Sequence, residues 1–177
     1  MDEHKGPPNV HPEIELLGKF LSEFNKESDR GAALAAAAFL DETLLEILTN
    51  YLADVPARKV LLKGANAPLG TFSSRISAAY ALGLLEEHEY REINIIRQIR
   101  NKFAHGWEEA HFTDGDITSL CGQLPWLGPE ELQPSSTMRA RFNFGVVVLL
   151  TDLMWRSRLV RQEQRSVRKW PNKSRVR

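Results

Sequence analysis

The stretch Asn94–His105, Asn-Ile-Ile-Arg-Gln-Ile-Arg-Asn-Lys-Phe-Ala-His, fits one regular conformation. At 100° per residue, Ile95, Ile96, Ile99 and Phe103 fall in one sector. Asn94, Arg97, Asn101 and His105 fall on the other side. A strand would mix the two sets, because its side chains alternate with a period of two. The segment is therefore predicted to be the last turns of an amphipathic helix that stops at Gly106. Arg100 breaks the pattern by projecting between Ile93 and Ile96, at the edge of the apolar sector. Charged side chains are seldom buried unpaired, so Arg100 there needs a partner or a ligand.

The same period governs the rest of the chain. Pro12 suits a first helical turn, and Ile14, Leu17, Phe20, Leu21 and Phe24 carry a helix to about Lys26. Ser28 is a good N-cap for an alanine-rich helix running through Leu40, Leu44, Ile47, Leu48 and Tyr51 to Leu52. Its alanines let a neighbouring helix approach closely. A connector with a short helix spans 54–63, and a loop spans 64–71. Thr71 or Ser73 caps a helix that Gly83 ends, and Glu86-Glu87-His88-Glu89 opens the helix of Arg100 with acids at the favoured terminus. A short helix near Asp116–Cys121 and a proline-punctuated loop follow. Ser135 or Ser136 then caps a long last helix with Phe142, Val146, Leu149, Leu150, Leu153 and Met154 inward. No segment sustains strand alternation. The expectation is an all-α, up-and-down helical bundle of about five helices over residues 12–163, with a disordered N-terminal tail at 1–11 and a basic C-terminal tail at 164–177.

Charge and cysteine usage narrow the function classes. The 177 residues carry a formal net charge of zero, which gives no global field for nucleic acid or membrane. The balance is uneven: from Arg156 onward nine basic residues face one acid, Glu163. Cys121 is the single cysteine, so no intrachain disulfide forms and a cysteine zinc site is not expected. The N-terminus lacks the apolar run of a signal peptide, and no apolar run is long enough to span a bilayer. A cytoplasmic protein without metal or cofactor is the expectation.

Three blocks carry a family resemblance. They are Ser28-Asp29-Arg30-Gly31 opening the alanine-rich helix, Asn66–Ile76 with the following Ala79–Leu84, and Ile96–His105. In this order and spacing, over about 28–128, the chain resembles the mannitol operon repressor family. The resemblance implies an all-helical fold and a role as a bacterial transcriptional repressor of sugar-alcohol uptake. It brings no recognised DNA-binding motif, and the sequence shows none. Such a regulator is expected to be a homodimer acting through a protein partner or through weak nucleic-acid contacts. Arg100, Asn101 and His105 also resemble the Arg-x4-6-His motif of the HEPN superfamily, whose helical bundles are commonly dimeric and in many cases metal-independent ribonucleases.

Under that second resemblance Arg100, Asn101 and His105 would be catalytic. A neutral imidazole can take the proton of a ribose 2′-OH, and a guanidinium can hold the phosphate as charge develops. Five helical residues place Arg100 and His105 about 140° apart, so one chain converges them only if the helix ends early or a second subunit completes the site. The alternative is structural: Arg100 pairs with Asp41, Glu42 or Glu46, and His105 caps the helix C-terminus. Arg30, Arg97, Arg168, Lys169 and Trp170 are further candidates for ligand or nucleic-acid contact. Arg30 sits by a helix N-terminus, and the basic tail places a tryptophan among phosphate-seeking side chains. The alternative is that Arg30 makes a structural ion pair with Asp29 and that the tail is a solvated terminus.

Overall fold

The structure is a computed structural model that describes residues 11–64, 66–105 and 110–171. Seven α-helices follow one another: α1 Pro12–Phe24, α2 Asp29–Tyr51, α3 Pro56–Leu62, α4 Phe72–Ala81, α5 Glu87–Ala104, α6 Gly115–Gly122 and α7 Met138–Val160. Short 3-10 turns cover Glu130–Ser135 and Arg161–Glu163. The all-α expectation holds, with five longer helices and the short α3 and α6 between them. The tail at 1–10, the stop at Gly106 and the end of the basic tail at 172–177 lie outside the described residues.

Each helix starts where local chemistry allows. The Ser28 hydroxyl accepts the Gly31 N–H at 3.1 Å and caps α2. Thr71 and Ser74 form a reciprocal capping box on α4, with both cap bonds at 3.2 Å. Glu86 and Glu89 do the same on α5. Gly83 closes α4 at φ +73°, a left-handed conformation that glycine adopts without steric cost. The last helix is capped by Thr137, one residue past Ser136 and two past Ser135. Thr137 accepts the Ala140 N–H at 3.1 Å, while the Ser136 hydroxyl turns back to donate to Gln133 O at 2.8 Å.

The long helix α2 is central, packing against α1, α3, α4, α5 and α7. Ala32, Ala33 and Ala36 are fully buried, so the close approach expected of the alanine-rich stretch is realised. Leu40, Leu44, Ile47 and Leu48 from α2 meet Ile93, Ile96, Ile99 and Phe103 from α5, and Phe142, Val146, Leu150 and Leu153 from α7, in one core. Ile95 is only half-buried, so the inward sector of α5 lies closer to Ile93 than to Ile95.

The C-terminal end of α2 is closed by other segments. A helix leaves its last carbonyls without intrahelical donors, at the negative end of its dipole. Here Leu52 N–H bonds Leu48 O at 3.0 Å, Arg58 Nη1 of α3 donates to Thr49 O at 3.0 Å, and Arg165 N–H donates to Tyr51 O at 2.7 Å. Gln164 Nε2 reaches Leu52 O at 3.3 Å. The Arg165 guanidinium also lies over the Tyr51 ring, 4.9 Å from its centre, and donates to its hydroxyl from Nε at 2.8 Å.

Candidate functional site

Two adjoining clefts run along the outer side of α5. The first, about 680 Å³, has His88, Glu92, Ile95 and Gln98 on one wall and Gln123–Pro125 on the other. The second, about 640 Å³, has Gln98, Asn101, Lys102 and His105 facing Asp116, Ser119 and Leu120 of α6. Gln98 belongs to both. Lys102 Nζ bonds Asp116 Oδ2 at 2.6 Å across the second cleft. That contact holds the Asp116 carboxyl below its ordinary pKa, through the hydrogen bond first and the charge of Lys102 second. Both clefts are open to solvent.

The sequence candidates separate here. Asn101 and His105 line the second cleft, and Arg100 is not among its lining residues. Arg100 is exposed, and its Nη1 donates to Asn101 Oδ1 at 3.1 Å. The structural alternative, a buried Arg100 paired with Asp41, Glu42 or Glu46, is therefore corrected. A long side chain at the border of an apolar sector can carry its charge out to water. Asp41, the first acid offered as its partner, instead pairs with Arg75, with N and O 2.7 Å apart. Arg75 also donates from Nε to Leu69 O at 3.0 Å. His105 follows the last turn of α5 in an extended conformation and its N–H bonds Asn101 O at 3.1 Å. Arg97 is half-buried, with Nε 3.3 Å from Asn94 Oδ1. Arg30 is half-buried on the first turn of α2, while Arg168, Lys169 and Trp170 are exposed.

Other charged contacts had no local sequence signature. Asp29 accepts Arg139 Nη1 at 2.6 Å and the Phe112 N–H at 3.1 Å, tying the start of α2 to α7 and to the α5–α6 connection. Glu89 is buried, pairs with Arg156 of α7 and accepts the Glu86 N–H at 2.7 Å. These partners stand 110 and 67 residues apart, so helical spacing could not reveal them. Glu89 and Arg156 also line a third cavity, about 520 Å³, between α1, the start of α5 and α7, whose mouth carries Ile14, Trp155 and Leu159. Cys121 is buried, and burial pushes its thiol up to about 12, against a smaller lowering by Arg141. It is a packed thiol and not a nucleophile. Among the described residues no group of three His, Cys, Asp or Glu side chains stands where it could hold a metal ion, and no helix is long and apolar enough to cross a membrane.

Fold and surface define an all-helical bundle with solvent-open polar clefts beside one amphipathic helix. The mannitol repressor family model matches residues 35–163, from within α2 to the end of α7, and the chain belongs to that family. It is 30% identical over 81 residues to the mannitol operon repressors of Escherichia coli strains K12 and O6:H1, a match covering 44% of this chain and 41% of those proteins. The matched stretch thus spans well under half the length of these relatives. A chain of the X-ray structure of the MtlR-HPr complex from Escherichia coli superposes with a TM-score of 0.56 and 25% identity, covering 81% of this chain and 98% of that one.

Proposed function

We propose that the protein is a transcriptional regulator that represses a sugar-alcohol operon and works through a protein partner. The observation that carries this reading is the extent of the family match: it runs from within α2 to the end of α7 and is not an isolated motif. The solved relative was crystallised in complex with HPr, which supports an HPr-type protein as the partner here. The geometry agrees with binding rather than chemistry, since Arg100 stands outside the cleft that holds Asn101 and His105. The sequence shows no recognised DNA-reading motif, so partner contact takes the leading role.

The test has two arms. Deleting the gene should raise expression of a reporter fused to the adjacent sugar-alcohol uptake promoter, and restoring the gene should reverse it. Purified protein should form a stable complex with the HPr of the same organism in calorimetry. An unchanged reporter removes the regulatory role, and absence of binding to HPr removes this partner while leaving repression in place.

A further inference from the structure

Glu89 and Glu92 are the two acids that α5 buries. Glu89 is answered by Arg156 and by the Glu86 N–H. Glu92 is 8% exposed and makes no hydrogen bond or ion pair among the described residues. The charges that act on it are His88 and Glu89 from its own helix and Asp152 from α7, and the two acids repel a carboxylate. His88 is turned to Glu86, with Nδ1 3.5 Å from Oε2. A buried carboxylate without a donor costs the fold stability. Residues kept at such a cost concentrate where a ligand supplies the missing partner. Glu92 lies in the wall of the first cleft beside α5, whose volume of about 680 Å³ suits a small molecule.

The rest of that cleft is short of donors as well. Gln98 turns its Nε2 onto Asn94 O at 3.3 Å, and Gln123 on the opposite wall turns its Nε2 onto Ser119 O at 3.3 Å. Both amide oxygens are left without a donor among the described residues. Arg91, also in the wall, is taken by Glu87. Ile95, Leu124 and Pro125 give the same cleft apolar surface. A carboxylate and two amide oxygens beside apolar surface call for a ligand that donates hydrogen bonds, carries positive charge and has a hydrocarbon body. We propose that this cleft binds a small aliphatic cation, an ammonium or guanidinium group on a short methylene chain, with Glu92 as its counter-ion. A neutral polyol would satisfy the amides and leave the charge of Glu92 uncompensated. A metal ion is the poorer fit, because among the described residues no three His, Cys, Asp or Glu side chains stand where they could hold one. The site lies beyond the regulatory reading and needs neither repression nor HPr to hold.

Agmatine is the probe, because it carries both cationic groups on one methylene chain. Calorimetry of the full chain against agmatine, at an ionic strength held constant with sodium chloride, should show saturable binding at a single site. Glu92→Gln keeps the shape of the side chain and removes its charge, and should weaken agmatine binding about tenfold or more. It also removes an uncompensated buried charge, so the variant folds. Gln98→Leu and Gln123→Leu, both at exposed positions, should each weaken binding about threefold. Glu131→Gln, an exposed acid outside the cleft, should leave it unchanged. In thermal melts saturating agmatine should raise the Tm of wild type and not that of Glu92→Gln. Three results would each overturn the proposal: no saturable binding below about 10 mM, mannitol binding as tightly as agmatine, or an equal loss in Glu131→Gln. Loss of HPr binding in Glu92→Gln, with no agmatine bound by wild type, would overturn it too, by assigning the cation to a side chain of the partner. An unchanged reporter in the deletion strain removes the repressor and leaves this site standing.

Discussion

At the residue scale, two carboxylates respond to pH in opposite directions. Burial raises the pKa of Glu92, His88 lowers it by a smaller effect, and Glu89 and Asp152 raise it further. The folded state therefore holds this proton more tightly than the unfolded chain. Ionised Glu92 costs stability above the folded pKa, and the cost disappears below the ordinary value of 4.5. Glu92→Gln should raise the Tm at pH 7, and the gap to wild type should close as pH falls towards 4; a gap that stays constant with pH would count against burial as its cause. At Asp29 burial raises the pKa, but the Arg139 hydrogen bond, the Phe112 N–H and the charges of Arg139 and His111 outweigh it, and the net shift is downward. Its contribution is present above the unfolded value of 3.8 and is lost as pH falls through the lower folded pKa. Asp29→Ala leaves the Phe112 N–H and Arg139 Nη1 without their acceptor, and should cost about 1–3 kcal/mol in urea melts at pH 7. Neither residue advertised this in the sequence. Asp29 was legible as a first-turn acid, and Glu92 as one more polar residue of α5, because both environments are made by helices distant along the chain.

Among the elements, the starts and stops carried more information than the faces. Ser28 and Gly83 act where residue type places them, and Thr71 is one of the two caps that residue type offers for α4, since caps depend on chemistry within three or four residues. Thr71→Ala should cost about 1 kcal/mol by removing the hydroxyl that holds the Ser74 N–H, and Thr71→Ser should restore nearly all of it. Equal stabilities in thermal melts would show that the box is not supporting α4. The faces were legible only to within a turn. Glu89 and Glu92 lie in the sector that α5 buries, because Arg156 reaches Glu89 from α7. Arg100 lies at the same sector's edge and escapes, because its stem is long enough to reach water. Periodicity gives the direction of a residue on its own helix. It does not say which neighbour covers that direction, and the candidate site turned on that second fact.

For the whole molecule, the open question is how the basic segment after α7 is coupled to the bundle. The family core closes without it: every residue of the hydrophobic core lies between Phe24 and Val160. Its attachment is made at the C-terminal end of α2, where Gln164 reaches Leu52 O and Tyr51 presents both a carbonyl and a hydroxyl to Arg165. Tyr51 is 6% exposed, so its ring belongs to the core while its hydroxyl belongs to the attachment. Tyr51→Phe separates the two roles by keeping the ring and deleting the acceptor. Loss of that bonding should cost about 1 kcal/mol. If the cost falls on the attachment alone, the bundle keeps its Tm while the detached population rises roughly fivefold. Limited trypsin digestion reads that population at Arg165, whose N–H and guanidinium are held by Tyr51 until the segment lifts. Cleavage after Arg165 should accelerate several-fold in Tyr51→Phe, with circular dichroism melts superimposing on wild type. Should the two proteins be cut at the same rate, the hydroxyl does not hold the segment, and its attachment comes from the Arg165 N–H on Tyr51 O, the Gln164 side chain on Leu52 O and the guanidinium over the ring.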